Sequence, residues 1–276
     1  SYGTRPLTSA KRTVVMSAKV DTKTAWDGGK YATNFTVGNA EVENEEFVHI
    51  GDKAMLAYIL KYYDTNKDGK MHIDEINKIT TLTLDFDNIY TYQSGKRVKV
   101  YIHSLDALKN MPNLRSLYLY NNASSTHNEF RKNTPSLSFE SNPKLSYVLM
   151  HRWYVGKLDF SANPELATLD IDMREKSGST ADKMAAVNNG TVKHKGVEYL
   201  NVSKCSKLRV LHAVDCNLKE IDLSKNINLE EIDLRMNHIR NLDISAAYRI
   251  KEENVRLGYQ VKEGAATPRN NVVRND

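Results

Sequence analysis

The sequence predicts an α/β right-handed solenoid, a coil of short parallel strands that is closed at its N-terminal end by a helix-loop-helix cap. Two observations predict this fold. Apolar residues recur at a fixed spacing in much of the 276-residue chain, and a loop of acidic and amide residues lies between two amphipathic stretches before the repeats begin. We therefore divide the chain into an extended or β arm over 1–48, the cap over 49–80, the solenoid over 81–257 and a polar tail over 258–276.

The repeat has a period of about 21 residues. Its best units are Leu229, Ile232, Leu234 and Asn237; one period earlier, Leu208, Leu211, Ala213 and Cys216; and, as another pair with this offset, Leu166, Leu169 and Ile171 after Leu145, Val148 and Met150. The pattern L-x-x-L-x-L-x-x-N/C at this period is the signature of a leucine-rich repeat. Each L-x-L is predicted to form a strand that points its leucines into the core and the residues between them onto a concave face.

Two insertions interrupt the period. The coil that ends at Asn122 precedes its successor by about one and a half periods, which predicts an inserted loop over about 123–133. A second insertion over about 176–196 is rich in Gly, Ser, Asn and Lys. A degenerate coil would also fit there, but the missing leucine pattern favours an excursion from the solenoid. Beyond Leu257 the chain turns polar, and we expect its last residues to fray.

Residues 64–75 match the EF-hand calcium loop D-x-[DN]-x-[DN]-G-x5-E at every specified position. The predicted calcium ligands are Asp64, Asn66, Asp68, the carbonyl of Lys70, and Glu75. Amphipathic stretches on both sides supply the helix-loop-helix context. The alternative is a turn rich in Asx residues that binds no ion. We expect the ion to lock the cap structurally, because a regulatory switch normally needs paired EF-hands and an apolar groove that opens.

Charge and composition narrow the classes of partner. The net charge of +5 is spread along the chain, and the basic run Lys96-Arg97-Val98-Lys99 is short, so we do not expect nucleic-acid binding. No run approaches the roughly 18 apolar residues of a membrane span, and the first residues lack the apolar segment of a signal peptide. The expectation is a cytosolic protein or the mature part of an exported one. Cys205 and Cys216 fall in different columns of the repeat and are predicted to be buried free thiols.

The predicted ligand site lies on the concave face toward the N-terminal coils. Exposed positions of two successive strands hold Tyr118, Tyr120, Tyr147, Leu149 and His151. Aromatic rings at fixed heights on neighbouring strands suit the faces of sugar rings or the apolar side chains of a peptide. The alternative is that the loop over 123–133 folds down and makes these residues a satellite core. Trp153, which replaces the expected asparagine, either joins this site or fills a bend.

Titratable residues at other concave positions raise the question of catalysis. They are Asp170, Asp172, His212, Asp233 and Arg235. A histidine flanked by aspartates fits a general base or a metal site, whereas a solvated charged face explains the same residues more simply. Motifs for a nucleophile, a phosphate-cradling loop or an HExxH zinc site are not found in the sequence. We therefore assign no catalytic residue and predict that the chain is not an enzyme, with a cryptic hydrolase as the alternative.

Repeats of the form Ile221-Asp222-Leu223-Ser224-x-Asn226-x-x-Leu229, preceded by an EF-hand-like loop that runs from Asp64 to Glu75, resemble bacterial cell-surface leucine-rich repeat proteins, which are often exported lipoproteins. The resemblance covers about residues 47–257. It implies a surface or periplasmic location, lipid anchoring of the precursor, and binding or adhesion. The chain departs from the pattern in its first 46 residues, in both insertions and in lacking an N-terminal cysteine for lipid.

These observations together predict a non-enzymatic binding module of the bacterial cell envelope that recognises a protein or a glycan through its concave face. A structural or adhesive element of the envelope is the main alternative. The identity of the partner and the oligomeric state do not follow from the sequence.

Overall fold

A computed structural model describes residues 47–121, 137–153, 155–174, 196–258, 260–262, 265–267 and 271–273. The predicted arm lies outside the described residues except for its last two positions. The predicted insertion over 123–133 lies wholly outside them, and of the insertion over 176–196 only Gly196 is described.

Short strands make up most of the regular secondary structure of the described residues. The α-helices are α1 (Lys53–Tyr63) and α2 (Ile73–Ile76), and short 3-10 helices span Asp106–Asn110 and Glu252–Asn254. The strands are β1 (Thr81–Asp85), β2 (Tyr90–Gln93), β3 (Lys96–Lys99), β4 (Ser116–Tyr120), β5 (Tyr147–His151), β6 (Lys157–Asp159), β7 (Thr168–Asp172), β8 (Tyr199–Asn201), β9 (Val210–Val214), β10 (Glu231–Asp233), β11 (Asn241–Asp243), β12 (Val255–Arg256), β13 (Gln260–Lys262), β14 (Ala265–Thr267) and β15 (Asn271–Val273). Within the described ranges, no helix has the length and apolarity needed to cross a bilayer.

Seven parallel strands form the main sheet, in the order β1-β4-β5-β7-β9-β10-β12. Val148 pairs with Leu169 and Leu211 pairs with Ile232, in both cases one period of the sequence repeat apart. Larger offsets are accommodated in the same way: Leu117 pairs with Val148, about one and a half periods later, and Leu169 with Leu211, two periods later. The sheet therefore stays in register across offsets of different lengths. The architecture is that of a leucine-rich repeat solenoid.

Alternate residues of the main strands point into one apolar core. The inward-facing residues with no measurable exposure include Leu82 and Leu84 of β1, Leu117 and Leu119 of β4, Val148 and Met150 of β5, Leu169 and Ile171 of β7, Leu211 and Ala213 of β9, and Ile232 of β10. The period of two along each strand places the residues between them on the opposite, concave face. That face consequently carries rows of side chains set by the register of the sheet.

Helix α1 lies against the edge strand β1. Its buried residues Met55 and Ile59 belong to the same apolar core as the strands. The hydroxyls of Tyr63 and Tyr58 donate hydrogen bonds to the carbonyls of Thr81 and Thr83, at 2.8 Å for Tyr63. Burial raises the pKa of Tyr58 to about 12. Edge strands expose backbone groups that invite pairing with other chains, and these hydroxyls satisfy two such groups.

Buried side chains at equivalent bends form hydrogen bonds to the preceding coil. We call this set, Asn142, Asn163, Cys205 and Asn226, the asparagine column. The Nδ2 atom of Asn163 donates to the carbonyls of Phe139 and Asn142 at 3.1 and 2.8 Å. Asn142 and Asn226 make equivalent pairs of bonds to their own preceding coils. Cys205 occupies this position in the coil that precedes Asn226. Buried carbonyls at the bends are thereby satisfied, as a buried backbone requires.

Both cysteines are buried and unpaired, as predicted. The Sγ atom of Cys205 lies 3.4 Å from the carbonyl oxygen of Phe160 and 3.5 Å from that of Asn163. Cys216 lies at a different bend, 3.8 Å from the carbonyl oxygen of Val214. Burial raises the pKa of Cys205 to about 12 and that of Cys216 well above its ordinary value. Both thiols are held in the protonated form, which is unreactive.

The C-terminal segment contains more regular structure than a polar tail suggests. β15 pairs in parallel with β11, and β13 and β14 form an antiparallel pair. The side chain of Gln260 is buried, where its Nε2 donates to the carbonyl of Leu234 at 2.7 Å and its Oε1 accepts from the amide of Ile239 at 2.9 Å. Gln260 thus satisfies buried backbone groups of the last coil, as asparagine does in other coils. β15 thus uses the edge of β11, whereas β13 and β14 pair with each other, and such backbone pairing does not depend on an apolar pattern.

The asparagine column predicts an asymmetry between two Asn→Ala substitutions. Asn163→Ala removes the donor from two buried carbonyls, each worth about 1–3 kcal/mol when left unsatisfied. Its Oδ1 is buried and accepts no hydrogen bond from the described residues, so loss of that atom offsets part of the cost. We expect the free energy of unfolding in urea to fall by about 2 kcal/mol.

Asn228→Ala is the matched control, because Nδ2 of Asn228 makes one exposed hydrogen bond to the carbonyl of Ser206. The free energy of unfolding of this variant should fall by no more than about 0.5 kcal/mol. Equal losses from the two substitutions would show that the buried column does not hold the coils together.

Candidate binding face and calcium-type loop

The predicted ligand residues lie side by side on the concave face. Ser116, Tyr118 and Tyr120 of β4 pair in register with Tyr147, Leu149 and His151 of β5. The ring centroids of Tyr118 and Tyr147 are 5.0 Å apart, those of Tyr118 and Tyr120 are 6.5 Å apart, and the ring of His151 meets Tyr120 edge-on at 5.7 Å. We call Tyr118, Tyr120, Tyr147, Leu149 and His151 the tyrosine platform. Its rings are half-buried, so each presents part of its surface to solvent.

The exposure of Leu149 differs from the prediction made from the sequence. The strand pattern predicts an exposed contact residue, but only 8% of it is accessible. The register sets it between Tyr118 on one neighbouring strand and Asp170 on the other. A residue in the middle of a sheet is shielded by side chains from the strands on both sides. Leu149 therefore forms the floor of the platform, with the aromatic rings around it.

Trp153 fills a bend and does not extend the platform. Its side chain is fully buried, and its Nε1 donates to the carbonyl of Leu119 at 3.2 Å. The ring of Phe86 meets it edge-on, with centroids 4.4 Å apart. The indole N–H thus takes the role of donor that asparagine has elsewhere at such bends. The alternative in which residues 123–133 cover the tyrosines falls outside the described residues.

A row of charged residues continues from the platform across β7, β9 and β10. Asp170 lies between two histidines, with its Oδ1 4.0 Å from Nε2 of His151 and 3.8 Å from Nδ1 of His212. The Nε2 of His212 lies 3.1 Å from a carboxylate oxygen of Glu231, and Arg256 is 3.3 Å from the same oxygen. Glu231 and Arg256 are not among the residues that the repeat pattern predicted for this row. Glu231 could have been found, since it precedes Asp233 by one step of the strand alternation.

The pKa values of the two histidines of this row are shifted in opposite directions. Interaction with Asp170, and then with Glu231, raises the pKa of His212. Burial lowers the pKa of His151 against the pull of Asp170. The contribution of His212 to stability is thus present in acid and is lost as the pH rises through its raised pKa. His151 has the opposite effect on stability. Because its pKa is lowered in the folded protein, the protein loses stability as the pH falls below the ordinary histidine pKa.

The remaining catalytic candidates are tied into ion pairs. Arg174 pairs with Asp172 at 2.6 Å, and Arg235 pairs with Asp233 at 2.7 Å, each through two nitrogens. Desolvation of Asp172 is outweighed by its hydrogen bonds from Arg174, so its pKa is lowered. The register neighbours of His212 are Asp170 and Asp233, and neither is a nucleophile of the kind used in acyl transfer. The face thus provides paired charges around a histidine.

A crevice of about 780 Å³ lies away from the platform, between β8 and the next coil. Its lining is mostly polar and includes Glu198, Tyr199, Asn201, Lys219 and Asp222. Asn201 and Asp222 already accept hydrogen bonds from the backbone amides of Ser203 and Ser224. These two side chains therefore stabilise local turns at the edge of the crevice.

The calcium-type loop joins the end of α1 to the start of α2. Lys67 and Gly69 adopt left-handed backbone conformations, with φ of 60° and 78°. Asp64 folds the loop around its carboxylate, because Oδ1 accepts from the amide of Lys67 at 2.7 Å and Oδ2 from that of Gly69 at 2.9 Å. Nε2 of His72 lies 2.6 Å from Oδ2 of Asp68. The sharp turn that the motif requires is therefore present.

Glu75 reaches back across this loop to groups of the loop itself. It accepts from the amide and the hydroxyl of Thr65 at 2.7 Å each, and from the amides of Asn66 and His72. Although burial opposes ionisation, these hydrogen bonds lower the pKa of Glu75 to about 2. Its carboxylate is consequently charged at all physiological pH values.

The donor chemistry of the loop suits calcium, which prefers oxygen ligands. Both carboxylate oxygens of Asp64, and Oδ1 of Asn66, accept one hydrogen bond each, so a lone pair remains on each oxygen. Within the described ranges, however, His, Cys, Asp and Glu side chains do not gather in threes closely enough to hold a metal ion. Calcium binding at this loop stays a prediction.

No protein-family model and no curated protein matches the chain. Among solved structures it resembles three internalins of Listeria monocytogenes. Internalin C2 shares 15% identity over 72% of this chain and 79% of that one, with a TM-score of 0.39. The functional domain of InlJ shares 15% over 77% and 60%, with a TM-score of 0.28, and InlF shares 14% over 75% of each chain, with a TM-score of 0.32. Likenesses this distant assign no family.

Proposed function

We propose that the chain is a non-enzymatic binding module of the bacterial cell surface that recognises a protein or a glycan through the tyrosine platform. The observation that carries this proposal is the contact between Tyr118 and Tyr147 on neighbouring strands, with ring centroids 5.0 Å apart. Tyrosines on rigid strands lose little conformational entropy when a ligand arrives, and each offers an apolar ring with a polar tip. Asp170 and His151 add hydrogen-bonding groups at one side of the rings.

The proposed architecture is a right-handed solenoid that keeps the period of the sequence repeat and has an N-terminal helix-loop-helix cap. The hydroxyls of Tyr58 and Tyr63 against β1, and the shared core with α1, support the cap. Export to the surface or periplasm, with lipid anchoring of a precursor, rests on the resemblance of the repeats and loop to bacterial surface proteins.

Calcium is proposed as a structural ion of the cap. Asp64, Asn66, Asp68, the Lys70 carbonyl and Glu75 would hold it, and it would neutralise a loop that has four carboxylates and two lysines between residues 64 and 75. Oxygen donors and the turn at Gly69 support this assignment. Since α1 and α2 share the core of the repeats, ordering their loop would stabilise the first coil.

If the tyrosine platform is the binding site, removing its two central rings should weaken ligand binding. Glycan and peptide arrays probed with the wild-type protein identify a ligand, and its affinity is then measured for the double variant Tyr118→Ala/Tyr147→Ala. We expect a loss of about tenfold or more, because buried aromatic anchors carry much of the energy of an interface. Tyr199→Ala, a half-exposed tyrosine on β8, is the matched control and should bind normally.

Thermal melting of both proteins completes this test. If the double variant retains full affinity while its melting temperature falls by several degrees, the platform is a core and the binding site lies elsewhere.

Calcium should raise the melting temperature in proportion to the logarithm of its free concentration. At 100 times the dissociation constant, a ligand that binds the native state stabilises it by about 2.7 kcal/mol. Asp64→Asn should remove this increment, and Asp74→Asn should keep it, because Asp74 is outside the ligand set and pairs with Lys78. Identical calorimetric transitions in chelator and in excess calcium would overturn the assignment.

A further inference from the structure

A hairpin outside the concave face carries a second, unassigned surface. β2 and β3 pair antiparallel, with Tyr90 opposite Lys99 and Tyr92 opposite Arg97. Residues directly opposite each other in such a pair lie on the same face of the ribbon. We call Tyr90, Tyr92, Arg97 and Lys99 the hairpin face. The turn at its tip is Ser94-Gly95, with φ of 48° and 76°, as a tight two-residue hairpin requires.

The hairpin is fixed at its base and open at its tip. Ile89 and Ile102, which flank the two strands, are both buried in the main core. The amide of Val100 donates to the carbonyl of Ile89 at 3.1 Å and continues the ladder toward the core. Tyr92, by contrast, is 69% exposed, the most exposed large apolar side chain of the described residues. The ring is therefore presented to solvent on an anchored ribbon.

The charge on this ribbon has one sign. Residues 88–103 contain two lysines and one arginine but no aspartate or glutamate. The guanidinium carbon of Arg97 lies 3.5 Å from the centroid of Tyr90, and Nζ of Lys99 lies 5.6 Å from that of Tyr101. Among the described residues these cations lie on aromatic rings and make no ion pair with a carboxylate, so their charge is oriented but is not neutralised there.

We propose that the hairpin face binds an anionic polysaccharide, a polymer whose sugar rings carry carboxylates or sulfates. The exposed ring of Tyr92 fits the apolar face of a sugar ring. Arg97 and Lys99 are two residues apart on one strand, hence about 7 Å apart along the ribbon, and offer charge-assisted hydrogen bonds to anions on the same polymer. An aromatic ring beside oriented cations matches a ligand that combines rings with negative charge.

Two other anionic partners fit the hairpin less well. Anchoring in a lipid surface relies on apolar side chains that enter the acyl region, whereas the tip of this hairpin is Ser94-Gly95. Nucleic acid is held by many phosphate contacts, and the hairpin supplies three cations.

The test measures binding of the intact protein to immobilised polygalacturonate and dextran sulfate, with neutral dextran as the blank. Wild type should bind at least one of the two anionic polymers. Arg97→Gln/Lys99→Gln should weaken that binding by about tenfold or more, and Tyr92→Ala by about threefold or more. Lys204→Gln/Lys225→Gln is the control, because it removes the same charge from exposed lysines of the repeats and should leave affinity unchanged.

Several results would overturn the proposal. Equal losses in the two charge variants would assign binding to overall charge, and an unchanged Tyr92→Ala would remove the sugar ring from the contact. Tighter binding of phosphatidylglycerol vesicles or of a single-stranded oligonucleotide, with the same dependence on Arg97 and Lys99, would replace the polysaccharide with a membrane or a nucleic acid. No binding to either anionic polymer would also refute it.

Discussion

The residue-for-residue pairing of the parallel strands is the constraint on which the concave face depends. β4 and β5 are separated by about one and a half periods and β7 and β9 by two, yet each pair aligns as closely as strands one period apart. A shift of one residue would turn every inward leucine outward, so burial of the core enforces the alignment. The alignment in turn brings Tyr118 to Tyr147 and sets Asp170 between two histidines. The arrangement of side chains on the concave face is therefore a consequence of core packing.

Buried polar groups at the bends complement the apolar core. The asparagine column donates to carbonyls that would otherwise be unsatisfied, although Oδ1 of Asn142, Asn163 and Asn226 accepts no hydrogen bond from the described residues. One unsatisfied acceptor per side chain is a smaller cost than two unsatisfied carbonyls. Cys205 in the same column lacks that oxygen and offers a weaker donor. Trp153 and Gln260 show that other donors of suitable reach can serve at the ends of coils.

The leucine pattern predicts the strands and their inward residues, because a period of two along a strand and a constant offset between coils leave few alternatives. The pattern also places the tyrosine platform, whose residues are adjacent in the sheet. Burial of Leu149 could not be predicted, since it depends on the size of side chains from two other coils. Whether Trp153 faced the core or the platform was equally undetermined, as both positions accept an aromatic ring. The strands after residue 258 pair through backbone groups, which leave no trace in the side-chain pattern.

Cross-linking across the longer offset between β4 and β5 tests the register most directly. In Ser116→Cys/Tyr147→Cys the cysteines occupy paired positions, about 5 Å apart across neighbouring strands and within the range of about 7 Å between α-carbons that a disulfide tolerates. In Ser116→Cys/His151→Cys the second cysteine is displaced by about 13 Å along the strand. Mild oxidation should close an intramolecular disulfide in the first variant and not in the second, while the buried Cys205 and Cys216 stay reduced. A disulfide in the second variant, or in neither, would contradict the register and the binding face derived from it.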